Sequence, residues 1–154
     1  MSKIQSWEAG TELVRSWQQS GYQVVFTNGV FDILHVGHLR YLNASKKLGD
    51  KLVLALNSDA SVKKLKGDTR PFNNLDDRME LIAALEPVDL VLSFEEETPL
   101  NIITLLIPDI ITKGGDYTPD MVVGGDIVME HGGSVEIINF EEGYSTTSFI
   151  EKGK

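Results

Sequence analysis

At 154 residues the chain is long enough to bury roughly 70% of the surface its unfolded form exposes, which suits one hydrophobic core. It carries 23 acidic against 14 basic side chains, a net charge of −9, so its average field repels nucleic acid and anionic membrane. The absence of cysteine removes disulfides, thiolate metal sites and a thiol nucleophile together.

No run of about 18 apolar residues occurs, and the opening MSKIQSWEAG has neither a charged n-region nor an h-region, so the expectation is a soluble, cytoplasmic protein without a membrane or nucleic-acid partner. With no repeat, low-complexity tract or linker-like shift in composition, residues 1–154 read as one domain. SWEAGTELVRSWQQSG places Leu13, Val14 and Trp17 at helical spacing and stops at Gly21. YQVVFTNG then reads as a buried strand ended by Asn28-Gly29. GHLRYLNASKKLGD follows as a helix with Leu39, Leu42 and Leu48 inward. KLVLALNSD is a second strand, LDDRMELIAALEP a helix, and VDLVLSF a third strand. TPLNIITLL opens a helix with Thr98 as cap and Pro99 in its first position. PDIITKGGD and SVEIINF complete about five strands, with TPDMVVGGDIVMEHGG between them as a helix bounded by Thr118, Pro119 and Gly132. Strands alternating with helices predict an α/β, Rossmann-like, doubly wound parallel sheet covered on both faces, whose ligands sit outside the carboxyl ends of the strands.

TNGVFDILHVGHLRYL lies on that edge and sets His35 and His38 three residues apart around Gly37. Three readings compete. A transition-metal pair is disfavoured, because helical zinc ligands usually sit four apart and the remaining histidine, His131, stands far along the chain beside a helix end. Caps at the helix start are the second. The third is a phosphate grip: Gly37 lets backbone approach a ligand, the helix N-terminus is electropositive, and two imidazoles would hold a phosphoryl oxygen.

GVFDILHVGH resembles the signature of the HxGH, cytidylyltransferase-like nucleotidyltransferase superfamily, which joins a nucleoside triphosphate to a phosphate-bearing acceptor and releases pyrophosphate. NSDASVKKLKGDTRP, LDDRMELIAALEPVD, KGGDY and GYSTTSFI follow in an order and spacing similar to the D-glycero-β-D-manno-heptose 1-phosphate adenylyltransferases, over roughly residue 22 to the end. The resemblance implies transfer of AMP from ATP to the sugar 1-phosphate by direct in-line attack, with Mg²⁺ entering with ATP and no metal held by protein alone. It also implies ADP-heptose as product, used in lipopolysaccharide core, and a homodimer. A separate kinase would supply the sugar phosphate.

Carried onto this sequence, the family pattern makes His35, His38 and Lys66 catalytic. It gives the nucleotide Thr27, Asn28, Gly29, Phe31 and Gly37 from the first turn, Lys113, Gly114 and Asp116 from KGGDY, and Ser145, Thr146 and Thr147 from the last motif. Asp32, Lys63, Arg70 and Arg78 fall to the acceptor or to phosphate. Each has a plainer reading: Asp32 as a loop brace, the lysines as a solvated face, Arg78 in a surface network with Asp76, Asp77 and Glu80, Asp116 in a turn, and the hydroxyls as an N-cap. Glycerol 3-phosphate cytidylyltransferases carry R-T-x-G-I-S-T-T and G-T-F-D, where this chain has Phe140, Glu141 and Val30 at the differing positions, which favours the heptose enzymes. Those cytidylyltransferases and a nucleotide-binding regulatory module remain as alternatives. A nicotinamide enzyme is disfavoured because the first strand is not followed by G-x-G-x-x-G.

Overall fold

The computed structural model of the chain describes residues 2–139. Five strands form one all-parallel sheet: β1 (Val24–Gly29), β2 (Lys51–Asn57), β3 (Leu90–Phe94), β4 (Ile110–Gly114) and β5 (Ser134–Ile138), in the order β3-β2-β1-β4-β5. The six α-helices among the described residues are α1 (Trp7–Gln19), α2 (Val36–Lys47), α3 (Asp59–Lys66), α4 (Leu75–Ala83), α5 (Leu100–Leu106) and α6 (Gly125–Glu130).

The strands read as continuous apolar runs because both sheet faces are covered. Val24, Phe26, Val53, Ala55, Leu90 and Leu92 point to a core completed by Val14 of α1, Ile102, Ile103 and Leu106 of α5, and Val128 of α6. The alternating partners Val25, Leu52, Leu54, Leu56 and Val91 meet Tyr41 and Leu42 of α2 and Ile82 of α4 on the opposite face. Among the described residues no helix is long and apolar enough to cross a membrane.

The segment 59–66, for which the pattern predicts no element, is a helix, capped by Ser58, whose hydroxyl accepts from the Ser61 N–H, and stopped at Gly67 with φ 98°. Three local expectations are corrected. Leu48 is 43% exposed, whereas Tyr41, Leu42 and Ser45 are the inward residues of α2. Leu48 is the C-cap that ends α2, one residue beyond its last helical position Lys47. The predicted helix from Thr118 to Gly132 is split into a 3₁₀ turn (Pro119–Met121) and α6. Gly124 causes the break: its φ of 79° is left-handed, and a Cβ there would lie 2.7 Å from Ile103 Cγ2. At α5 the helix begins one residue later than expected, with Pro99 in the cap position and Thr98 Oγ1 accepting from the Leu100 N–H at 3.4 Å.

Candidate active site

Strand order reverses between β1 and β4, and a cavity of about 280 Å³ opens at their carboxyl ends. Asn28 and Gly29 of β1 and Val30 and Phe31 of the following loop form one wall. His38 and Tyr41 enter from α2, Lys113 and Gly114 from β4, Tyr117 from the loop beyond, and Lys66 from the end of α3. Among the described residues no carboxylate lines this cavity, so in a chain of net charge −9 its described wall is a local reservoir of donors. A second, open groove of about 580 Å³ lies along α1, where Glu8 and Glu12 stand beside Arg15.

His35 occupies the N-cap of α2 and His38 its third helical position. The rings stack, with centroids 3.9 Å apart and 26° between planes. His38 Nδ1 accepts a hydrogen bond from the His35 backbone N–H at 3.2 Å. A neutral imidazole that accepts at Nδ1 carries its proton on Nε2, so His38 is a fixed Nε2–H donor. Burial, then the neighbouring His35, pushes its pKa down to about 4, which keeps it neutral at physiological pH. Burial lowers His35 as well. Capping and a phosphate grip are therefore compatible uses of the same pair. His35 itself is not among the residues lining the cavity.

Phe31 is held at φ 49° with its ring edge-on to His38, 5.3 Å between centroids. This conformation costs a non-glycine residue of order 1–3 kcal/mol, and such strain concentrates at functional sites. The ring fits because residue 29 has no side chain: a Cβ on Gly29 would lie 2.8 Å from Phe31 Cε2. Gly29→Ala is expected to destabilise by about 1–3 kcal/mol through overpacking and to lower kcat more than it raises KM. Thermal melting and steady-state kinetics check this; an unchanged kcat would detach Phe31 from the site.

Several expected ligand contacts are placed elsewhere. Thr27 is fully buried beneath the cavity, bonded to the Tyr41 hydroxyl at 2.8 Å and to the Thr112 carbonyl at 3.3 Å, so it does not face a ligand. Arg78 is neither a phosphate contact nor part of a surface network. It is 1% exposed and donates to the carbonyls of Asn73, Val30 and Asn57 and to the Asp59 carboxylate. Asp32 is a brace: its carboxylate accepts from Arg70 Nε (3.0 Å) and from the Phe72 and Asn73 N–H groups (2.7 and 2.8 Å). Burial raises its pKa, but those bonds and the Arg70 charge outweigh it, and the net shift is downward. Arg70 is thereby paired in the structure, with its guanidinium over the Phe72 ring.

Gly37 is buried in the first turn of α2. Lys63 is exposed on α3 and does not line the cavity; with Lys64 and Lys66 it complements the helix C-terminal dipole. Lys113 lies over the Tyr117 ring at 5.2 Å, and burial lowers its pKa. Asp116 is exposed and outside the cavity wall. His131 is the C-cap of α6, bonded through Nδ1 to the Ile127 carbonyl at 2.9 Å. Ser145, Thr146 and Thr147, like Phe140 and Glu141, lie outside the described residues. Among the described residues no cluster of three or more His, Asp or Glu is positioned to hold a metal. Val30, Tyr41 and Tyr117 are cavity residues that pattern reading missed. Tyr41 lies three positions after His38, on the same helix face, which is the signal that points to it.

The architecture is that of an α/β protein with an anion-suited cavity at the switch point of a parallel sheet. Residues 26–152 match the cytidylyltransferase-like family model, and the chain belongs to that family. It is 55% identical over 151 residues to the bifunctional protein HldE of Trichlorobacter lovleyi, covering 98% of this chain and 31% of that one. The bifunctional protein HldE of Klebsiella pneumoniae is 51% identical over 149 residues, 97% of this chain and 31% of that protein. The chain thus spans about a third of the length of these curated relatives. Among solved structures it is similar to the lipopolysaccharide core biosynthesis protein from Thermoplasma volcanium GSS1, with a TM-score of 0.62 and 34% identity over 79% of this chain and 98% of that one.

Proposed function

We propose that this chain is a nucleotidyltransferase domain that transfers AMP from ATP to D-glycero-β-D-manno-heptose 1-phosphate, releasing pyrophosphate and forming ADP-heptose. The observation that carries the reading is the cavity wall, which brings His38, a neutral Nε2–H donor, together with Lys66 and Lys113 at the switch point, with no carboxylate among the described lining residues. The similarity to HldE proteins and to a lipopolysaccharide core biosynthesis protein supports the heptose acceptor.

An oxygen of the sugar phosphate attacks the α-phosphorus of ATP in line; the new P–O bond forms as the bond to the bridging oxygen breaks, and pyrophosphate leaves with that electron pair. No covalent intermediate on the protein is required. Such transfer rests on positioning and electrostatics. His38 donates to a phosphoryl oxygen, with His35 stacked behind it, and Lys66 and Lys113 neutralise the triphosphate from opposite sides. Asn28, Gly29, Phe31 and Gly37 shape the turn over the phosphates, Gly114 the nucleoside side, and Asp32 with Arg70 braces the adjoining loop. The donor set suits phosphate oxygens rather than a bare cation, so Mg²⁺ would arrive on ATP, where it neutralises triphosphate charge. ATP and a sugar phosphate are cytoplasmic metabolites, which supports a cytoplasmic location, and a homodimer is the assembly we expect on sizing with light scattering.

Pyrophosphate release with Mg²⁺ tests the reading, using ATP and CTP, each with heptose 1-phosphate and with glycerol 3-phosphate. Turnover with ATP and heptose 1-phosphate alone is the expected result. Turnover with CTP and glycerol 3-phosphate would retain the reaction class and overturn the substrates, and silence in all four mixtures with nucleotide bound would favour a regulatory module.

A further inference from the structure

The ladder between β1 and β4 pairs Val25 with Ile110 and Phe26 with Ile111; Thr27 and Thr112 stand next in register, where the seam opens toward the cavity. Both are fully buried. Two residues of α2 reach into this opening. The Tyr41 hydroxyl lies 2.8 Å from Thr27 Oγ1 and donates to Thr112 Oγ1 at 3.2 Å, and Ser45 Oγ lies 2.9 Å from Thr112 Oγ1. One ordering has Thr27 donating to Tyr41, Tyr41 to Thr112 and Thr112 to Ser45; the Thr27 proton is then shared between the nearer Tyr41 hydroxyl at 2.8 Å and the Thr112 carbonyl at 3.3 Å. Each hydroxyl has one proton and spare acceptor capacity. A chain of this kind, buried at low dielectric, holds its members more firmly than separate bonds in water would.

We propose that the Tyr41 hydroxyl is a positioning group for the transfer reaction: it pins the first turns of α2 across the open β1–β4 seam and so holds His38 at the cavity. His38 and Tyr41 are neighbours on one helix face, and both border the cavity. The apolar contacts of Leu42 seat α2 against the sheet, and directional hydroxyl bonds to two strands add a constraint on its axial position. Buried hydroxyls with partners on three elements are a costly arrangement for packing alone, since apolar residues of similar shape would fill the seam as well. The role rests on the nucleotidyltransferase reading, because the group it positions is the phosphate donor.

Tyr41→Phe keeps the ring and removes only the hydroxyl. The expected result is a fall in kcat of about tenfold to a hundredfold, the scale of a small misplacement of a catalytic group, with KM for ATP moving by less than about threefold. Thr27→Val, which leaves α2 unaltered, should act in the same direction. The double variant should lose little more than either alone, because both cut one chain. Histidine ring ¹H and ¹⁵N shifts give a readout independent of turnover: His38 stays protonated at Nε2 in both proteins, because His35 holds its Nδ1 within the same helix turn, while its ring shifts move in Tyr41→Phe as α2 is displaced against the cavity wall. A folded Tyr41→Phe protein with wild-type kcat and unmoved His38 ring shifts would overturn the proposal, even if its Tm had dropped. Absence of turnover in the wild type would instead reject the substrate reading, and the ¹⁵N measurement would then decide the positioning role alone.

Discussion

His38→Ala is expected to lower kcat by about a hundredfold to a thousandfold, the range seen when one preorganised donor to a developing charge is removed. The size follows from how firmly the ring is held. Its Nδ1 is occupied by the His35 N–H, His35 lies against one face and Phe31 meets it edge-on, so no reorganisation is needed when charge develops on phosphate. KM for ATP should change less, because Lys66 and Lys113 remain in the wall. Steady-state kinetics with equilibrium nucleotide binding separates the two; a kcat within about threefold of wild type would remove His38 from the chemistry.

The same geometry predicts a pH signature. His38 has a folded pKa of about 4 against an ordinary 6.5, so protons favour the unfolded chain between those values. The stability this group contributes is fully present above pH 6.5 and is lost as pH falls toward 4. Chemical denaturation across that window should show the loss in the wild type and a smaller one in His38→Ala.

Arg78→Ala is expected to cost about 3–5 kcal/mol of stability, because it empties a buried volume and strands buried hydrogen-bond acceptors. The guanidinium ties the loop after β1 (Val30), the end of β2 (Asn57), the start of α3 (Asp59) and the segment before α4 (Asn73) at 2.7 to 3.1 Å. For a chain of this size the loss corresponds to a Tm lower by roughly 6–20 °C. Arg78→Lys should recover only a small part, since one ammonium cannot reproduce a planar fork spanning four segments. Calorimetry decides it, and a Tm shift below about 2 °C would show that the arginine is not what joins these loops. Activity should fall with stability, because Val30 and Lys66 border the cavity on the elements Arg78 connects.

By itself the sequence determined the sheet, the helices that cover it and the position of the histidine turn. Those features are written in local signals: apolar runs long enough for strands buried on both faces, glycine and asparagine at strand ends, and H-x-G-H where a strand becomes a helix. Local signals misled at α6, where a left-handed Gly124 packed on Ile103 breaks a periodic stretch, and were silent at 59–66, where a short helix carries little apolar pattern. What only the tertiary structure decided is which polar side chains face inward. Thr27 and Thr112 are 85 positions apart and meet because β4 lies beside β1; Arg78 and Asp32 are buried because loops from separate elements close over them. A buried arginine and a phosphate-binding arginine have the same letter in the sequence, and the difference is made by the acceptors that surround the guanidinium, which strand order and loop packing assemble.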